Sequence, residues 1–140
     1  MADLLKVNII SPERRLLQGG RAQWITVQGS EGQVQVLPGH AAFLGSLQTG
    51  PFTYMTETGQ QESGVISTGF FEVKNDEVTV LAETIELKGE IDLGRARAAQ
   101  QKAEQALVAA DLDEHKFRKY QLKLERALIR QQVSGSSSSH

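Results

Sequence analysis

Residues 24–39 read Trp24-Ile25-Thr26-Val27-Gln28-Gly29-Ser30-Glu31-Gly32-Gln33-Val34-Gln35-Val36-Leu37-Pro38-Gly39. β-Branched side chains alternate with polar ones on both sides of Gly29-Ser30-Glu31-Gly32, and the second run halts at Pro38-Gly39. A period of two sends alternate side chains to opposite faces of an extended backbone, so each run predicts a strand with one buried face. The same texture continues in both directions. Val7-Asn8-Ile9-Ile10 ends at Ser11-Pro12, and Phe52-Thr53-Tyr54-Met55-Thr56 ends at Thr58-Gly59. Val65-Ile66 precedes Thr68-Gly69, Phe70-Phe71-Glu72-Val73 stops at Asn75-Asp76, and Val78-Thr79-Val80-Leu81 follows. Many short strands between turn signals predict an antiparallel β-sandwich or flattened barrel over residues 1–86. This stretch also holds all three prolines and no helical period of useful length. Its aromatic residues Trp24, Phe43, Phe52, Phe70 and Phe71 suggest a part that folds alone.

From Ile91 the texture changes. Alanine replaces glycine, and Ala96, Ala99, Ala103, Ala106, Leu107 and Ala110 recur at helical spacing. Asp92 stands where an N-cap belongs, its side-chain oxygen able to accept from an amide of the first turn. A second start follows at Asp111-Leu112-Asp113-Glu114, where an acid precedes a glutamate by three residues as in a capping box. Phe117, Tyr120, Leu124, Ala127, Leu128 and Gln131 form the stripe of that helix. The break near residue 111 is short, so residues 87–133 predict a two-helix antiparallel hairpin. Residues 134–140 are polar and predict a disordered tail. The fold class is α+β. The apolar face of the hairpin is thin and alanine-rich, and at roughly 25 cal/mol per Å² its burial contributes little. Two outcomes stay open, a hairpin fixed on the sheet and a mobile one.

Composition removes several functions. The chain of 140 residues has no cysteine, which excludes disulfides, thiolate metal sites and cysteine nucleophiles. Its apolar runs fall far short of the roughly 18 residues that span a bilayer, so membrane association is expected through a partner. Met1-Ala2-Asp3-Leu4-Leu5-Lys6 lacks the apolar stretch of a secretory signal. Residues 1–86 carry five basic against ten acidic side chains, whereas residues 87–140 carry ten against seven. Such asymmetry points to two regions with different partners. A pI near 5.9 argues against nucleic acid.

Chemistry is scarce. His40, His115 and His140 lack metal-ligand spacing. His40 follows a Pro-Gly turn, where a structural or contact role fits best. There is no Gly-x-Ser-x-Gly elbow and no phosphate-binding Gly-x-x-x-x-Gly-Lys loop. The pairs Glu83/Glu86 and Glu90/Asp92 lie in a charged connector and read as solvated surface rather than as acid–base couples.

Three runs carry a resemblance. They are Gly29-Ser30-Glu31-Gly32 with Leu37-Pro38-Gly39-His40-Ala41, then Ile66-Ser67-Thr68-Gly69-Phe70-Phe71-Glu72-Val73 with Val78-Thr79-Val80-Leu81-Ala82-Glu83, and Ile91-Asp92-Leu93-Gly94-Arg95-Ala96 with Lys102-Ala103-Glu104. In this order and spacing they closely resemble the epsilon subunit of the bacterial F-type ATP synthase, equivalent to mitochondrial delta. The likeness covers about residues 4–133. Gln35, Ala42 and Thr68 depart from it, standing where glycine, proline and glycine are common.

The resemblance implies a non-catalytic subunit of the rotating central stalk of a proton-translocating synthase. Its sandwich would bind the gamma subunit and the c-ring, with Glu31, Gln33 and His40 at the c-ring contact. Its hairpin would move between a compact form and an extended form that reaches the catalytic alpha/beta head and inhibits ATP hydrolysis. The basic side chains of the second helix, among them Lys116, Arg126 and Arg130, would then meet acidic loops there. No cofactor is expected beyond a possible regulatory ATP, for which the family's contacts fall on Glu86, Asp92, Arg95, Lys102, Arg126 and Arg130. Lys102 stands where strong binders carry arginine, so weaker binding is expected. On the residues alone, Asp92 is equally well a helix cap. The implied location is peripheral, on the cytoplasmic face of the bacterial plasma membrane. The rival reading is an ATP-sensing regulatory protein or adaptor without a rotary role.

Overall fold

The computed structural model describes residues 3–108 and 113–135. The chain divides into two compact units, Met1–Lys88 and Gly89–His140.

The first unit is a nine-stranded β-sandwich. Its strands are β1 (Leu5–Ser11), β2 (Arg14–Gly29), β3 (Gly32–Val36), β4 (Phe43–Leu47), β5 (Gly50–Thr56), β6 (Gln61–Ile66), β7 (Gly69–Lys74), β8 (Glu77–Ala82) and β9 (Ile85–Leu87). They hydrogen-bond in the order β1-β8-β7-β4-β2-β5-β6-β9, with β3 on β2, and β1 also pairs with β2. The 16-residue β2 therefore serves both halves of the sandwich and closes β1, β8, β7 and β4 into a ring. Every pairing is antiparallel except β1 with β8, which is parallel. An all-antiparallel sandwich was the expectation; the exception arises because β1 enters beside a strand some 70 residues away and shares its direction, pairing Val7 with Val78 and Ile9 with Val80.

Alternation makes the core. Leu5, Val7 and Ile9 of β1 point inward, as do Phe71 and Val73 of β7 and Val78 and Val80 of β8. Each buried side chain of this size contributes roughly 1.5–3 kcal/mol. Gly69 is needed by close approach: a Cβ there would strike the carbonyl of Leu81 and the Cα of Ala82 on β8. Asn8 sits where the β1–β2 register shifts, and its Oδ1 accepts from the Gly19 amide at 2.8 Å. Its Nδ2 donates to Glu77 Oε2 at 3.0 Å. Of the aromatic residues of this unit, Phe52 and Phe71 are buried, whereas Phe43 and Phe70 are exposed.

The second unit begins in a short 3₁₀ turn (Lys88–Glu90) and contains α1 (Leu93–Leu107) and α2 (Glu114–Gly135). Asp92 caps α1, its Oδ1 accepting from Arg95 N at 3.0 Å. Asp113 caps α2 in the same way, accepting from Lys116 N at 2.8 Å. Asp111, the other acid of the expected start signal, and Ala110 lie outside the described residues. Ala96 and Ala103 of α1 and Ala127 of α2 are buried, so the two backbones approach closely. Gln131 Nε2 donates to Gln100 Oε1 at 2.6 Å across the hairpin. Phe117 and Leu128, placed in the stripe by spacing, are each 46% exposed. Helix α2 runs to Gly135, two residues past the expected boundary, and residues 136–140 lie outside the described residues.

Candidate functional site

Two surfaces, one on each unit, gather some of the residues singled out by sequence: Glu31 and Gln33 on the first, Lys102, Arg126 and Arg130 on the second. On the sandwich, β2 meets β4 at Gly29 and Leu47, where Ser30 N donates to Ser46 O at 3.0 Å. From there β4 diverges from the β2–β3 hairpin and leaves a groove of about 630 Å³. Glu31 and Gln33 stand on one wall, and Phe43, Phe70 and Phe71 line the other. The rings of Phe43 and Phe71 are 5.5 Å apart and tilted by 35°. Register sets Phe70 of β7 against Leu81 of β8 on the outer face, with Leu44 of β4 on the same face; Leu44 and Phe70 also line the groove. Leu44 is 70% exposed, Phe70 60% and Leu81 49%. Three large apolar side chains so exposed on one sheet face, beside Ser46 and Glu72, make a surface suited to a protein partner.

His40 is not part of that groove. It ends the turn Leu37-Pro38-Gly39-His40, where His40 N donates to Leu37 O at 3.1 Å. The Gly39 amide donates to Asp76 Oδ1 at 2.8 Å. His40 Nδ1 lies 2.7 Å from the carbonyl of Ala41. A carbonyl only accepts, so Nδ1 carries the proton of this contact, which leaves Nε2 as the ring nitrogen open to another partner.

The hairpin has its own groove, of about 290 Å³. Ala99, Lys102 and Ala103 of α1 line it with Tyr120, Lys123, Arg126 and Arg130 of α2. Positions three or four apart share a helix face, which explains the α2 set. Lys123 Nζ lies 5.6 Å from the Tyr120 ring centroid. Four cations and no carboxylate line this groove, so its chemistry suits a polyanion, with arginine forks for phosphate oxygens and an aromatic face beside them. The basic residues of α2 are thus divided: Arg126 and Arg130 turn into the groove, while Lys116, Arg118 and Lys119 stay exposed.

The structure brings Lys102, Arg126 and Arg130 together, and it adds Lys123 and Tyr120, which sequence reasoning missed. The 120, 123, 126, 130 spacing was the signal that could have found them. Asp92 and Arg95 sit at the start of α1, where Asp92 is engaged as the cap. Arg95 precedes Lys102 by seven residues, about 10 Å along a helix. Glu86 lies on β9 of the first unit, paired with Val65.

Comparison with known proteins decides the family. Residues 4–88 match the ATP synthase delta/epsilon chain β-sandwich domain, and residues 90–135 match the long α-helix domain of the same chain. A protein described as ATP synthase epsilon chain from Geotalea daltonii is 46% identical, the match covering 98% of both chains. One of the same description from Geobacter sulfurreducens is 44% identical over 99% of both. This chain belongs to the ATP synthase delta/epsilon family. The epsilon fold also recurs in solved structures. A chain in the Euglena gracilis mitochondrial ATP synthase structure of OSCP/F1/c-ring superposes with a TM-score of 0.80 at 23% identity, covering 89% of this chain and 78% of that one. A chain of the Tetrahymena thermophila mitochondrial ATP synthase central stalk and c-ring gives 0.64 at 14% identity, covering 93% and 96%. In this epsilon-family chain, no helix among the described residues is long and apolar enough to cross a membrane.

Proposed function

We propose that this protein is a non-catalytic rotor subunit of a proton-translocating F-type ATP synthase, joining the gamma subunit to the c-ring. The observation that carries the reading is the exposed strip Leu44, Phe70 and Leu81, on a chain that matches epsilon chains along almost its whole length. Apolar side chains so exposed are unfavourable in water and favourable under a partner. The strip is the gamma surface. Glu31, Gln33 and His40 form the polar contact with the c-ring loops, His40 offering Nε2 and Glu31 a carboxylate. The protein is peripheral, held at the cytoplasmic face of the bacterial plasma membrane through the complex.

The hairpin regulates ATP hydrolysis by detaching and extending toward the catalytic alpha/beta head. Its small, alanine-lined interface supports this, because a two-state element needs a gap of only a few kcal/mol. Regulatory ATP binds the compact hairpin, its phosphates taken by Lys102, Arg126 and Arg130, and Lys123 adds a fourth cation. The same groove favours a second reading, a nucleotide sensor acting outside the complex.

Co-purification separates the two. Expressed with gamma and a c-ring, the rotor subunit is retained by both; a free sensor binds ATP and is retained by neither.

A further inference from the structure

The turn between β7 and β8 carries a side chain where its backbone favours none. Asn75 has φ of 51° and Asp76 of 60°, both left-handed. Such two-residue hairpins favour asparagine first and glycine second. Asn75 obeys this preference, and Asp76 does not. The carboxylate of Asp76 has a task instead. Its Oδ1 accepts from the amide of Gly39, 37 residues away, at 2.8 Å, while its carbonyl accepts from Lys6 N at 2.9 Å. Gly39 is itself left-handed at φ +87°, and a Cβ there would meet nothing within 4 Å. The tip of the Pro38-Gly39-His40 turn is thus unpacked. Among the described residues, the bond from Gly39 is the hydrogen bond that ties residues 38–42 to another element.

We propose that Asp76 is a positioning residue for the partner contact at His40: its carboxylate pins Gly39 and thereby fixes the direction in which His40 presents Nε2. The proposal rests on the reading that His40 meets the c-ring. Glycine at 76 would suit the β7–β8 hairpin better but would release the His40 turn.

The test uses the full-length chain and three variants, Asp76→Gly, Asp76→Asn and His40→Ala. Asparagine tolerates the left-handed backbone and keeps an oxygen for Gly39. Three quantities are measured: the unfolding midpoint, amide exchange at Gly39 in the isolated protein, and affinity for a gamma–c-ring subcomplex. Asp76→Gly should unfold at the wild-type midpoint or above it. Its Gly39 amide should exchange about tenfold faster, and its affinity should fall about fivefold; Asp76→Asn should restore both. Unchanged exchange in Asp76→Gly overturns the proposal. So does faster exchange with full affinity while His40→Ala binds weakly, which leaves the His40 contact standing. Full affinity in His40→Ala overturns the contact reading and the proposal together.

Discussion

Gln131 Nε2 reaches across the helical hairpin to Gln100 Oε1 at 2.6 Å and also contacts the carbonyl of its own Ala127 at 3.3 Å. Around that bond the packed side chains are mainly alanines, so a polar contact carries an unusual share of the hold between α1 and α2.

Replacing Gln131 by alanine should therefore loosen the hairpin by about 1 kcal/mol, roughly a fivefold shift in a two-state equilibrium. Faster amide exchange along α2 would register it in the isolated protein. Under the proposed regulation this shift favours the extended form in the assembled synthase, so ATP hydrolysis should fall. Hydrolysis at or above the wild-type rate would separate the hairpin from inhibition.

The hairpin groove makes a separate demand. Lys102→Arg supplies a planar fork in place of a point charge and should tighten ATP binding two- to tenfold, by rough reckoning from such pairs. Arg126→Ala combined with Arg130→Ala should weaken it by about tenfold or more, while helicity is retained. Calorimetric titration of the isolated protein measures both. An affinity that responds to neither change would detach ATP from this groove.

Tyr54 gives the sandwich an alkaline limit. Burial pushes its phenol above the ordinary value near 10, and Glu62, its cross-strand partner on β6, pushes the same way. Above about pH 10 the unfolded chain loses this proton while the folded chain keeps it, so the unfolded state binds fewer protons and stability falls as pH rises. Tyr54→Phe should lose less unfolding free energy than wild type between about pH 9 and about pH 11. Equal losses in urea titrations would remove Tyr54 as the cause.

Packing in the sandwich yields two stability predictions of different origin. Phe71→Ala empties a core site and should cost about 3–5 kcal/mol. Gly69→Ala removes nothing but drives a methyl group into the β8 backbone at Leu81 and Ala82, so it should break the β7–β8 ladder and destabilise by at least 1 kcal/mol or so. Chemical unfolding midpoints decide both, and a neutral Gly69→Ala would show that β8 can shift aside.

Most strands were legible because a half-buried strand writes its faces into the chain with period two, as in Thr53-Tyr54-Met55 or Val78-Thr79-Val80. The front of β2, Arg14–Gln23, was not, since Leu16, Leu17 and Ala22 reach the core from among Arg15, Gln18, Gly19, Gly20 and Arg21 without a clean alternation. Strand β4 escaped because Phe43-Leu44-Gly45-Ser46-Leu47 exposes four of its residues at least partly, and its pairing with β7 is long-range. The exposure of Phe70 follows the same period of two, since it shares the outward face of β7 with Glu72 and Lys74. In the hairpin, Asp92 was legible as a cap. Lys123 was not legible as a groove residue, because helical spacing gives a face and not the neighbour that turns it into a wall.

The rotor role is tested most directly by the affinity of the full-length chain for a gamma–c-ring subcomplex, compared between wild type and Phe70→Asp. Phe70 lies on the exposed face of β7, so the substitution should leave the unfolding midpoint within about 0.5 kcal/mol of wild type. It puts a charge into the apolar strip, where an uncompensated carboxylate loses its hydration on docking. The rotor reading predicts tight binding by wild type and a loss of about a hundredfold in the variant. Wild type that fails to bind, or a variant that binds as well as wild type, would contradict it.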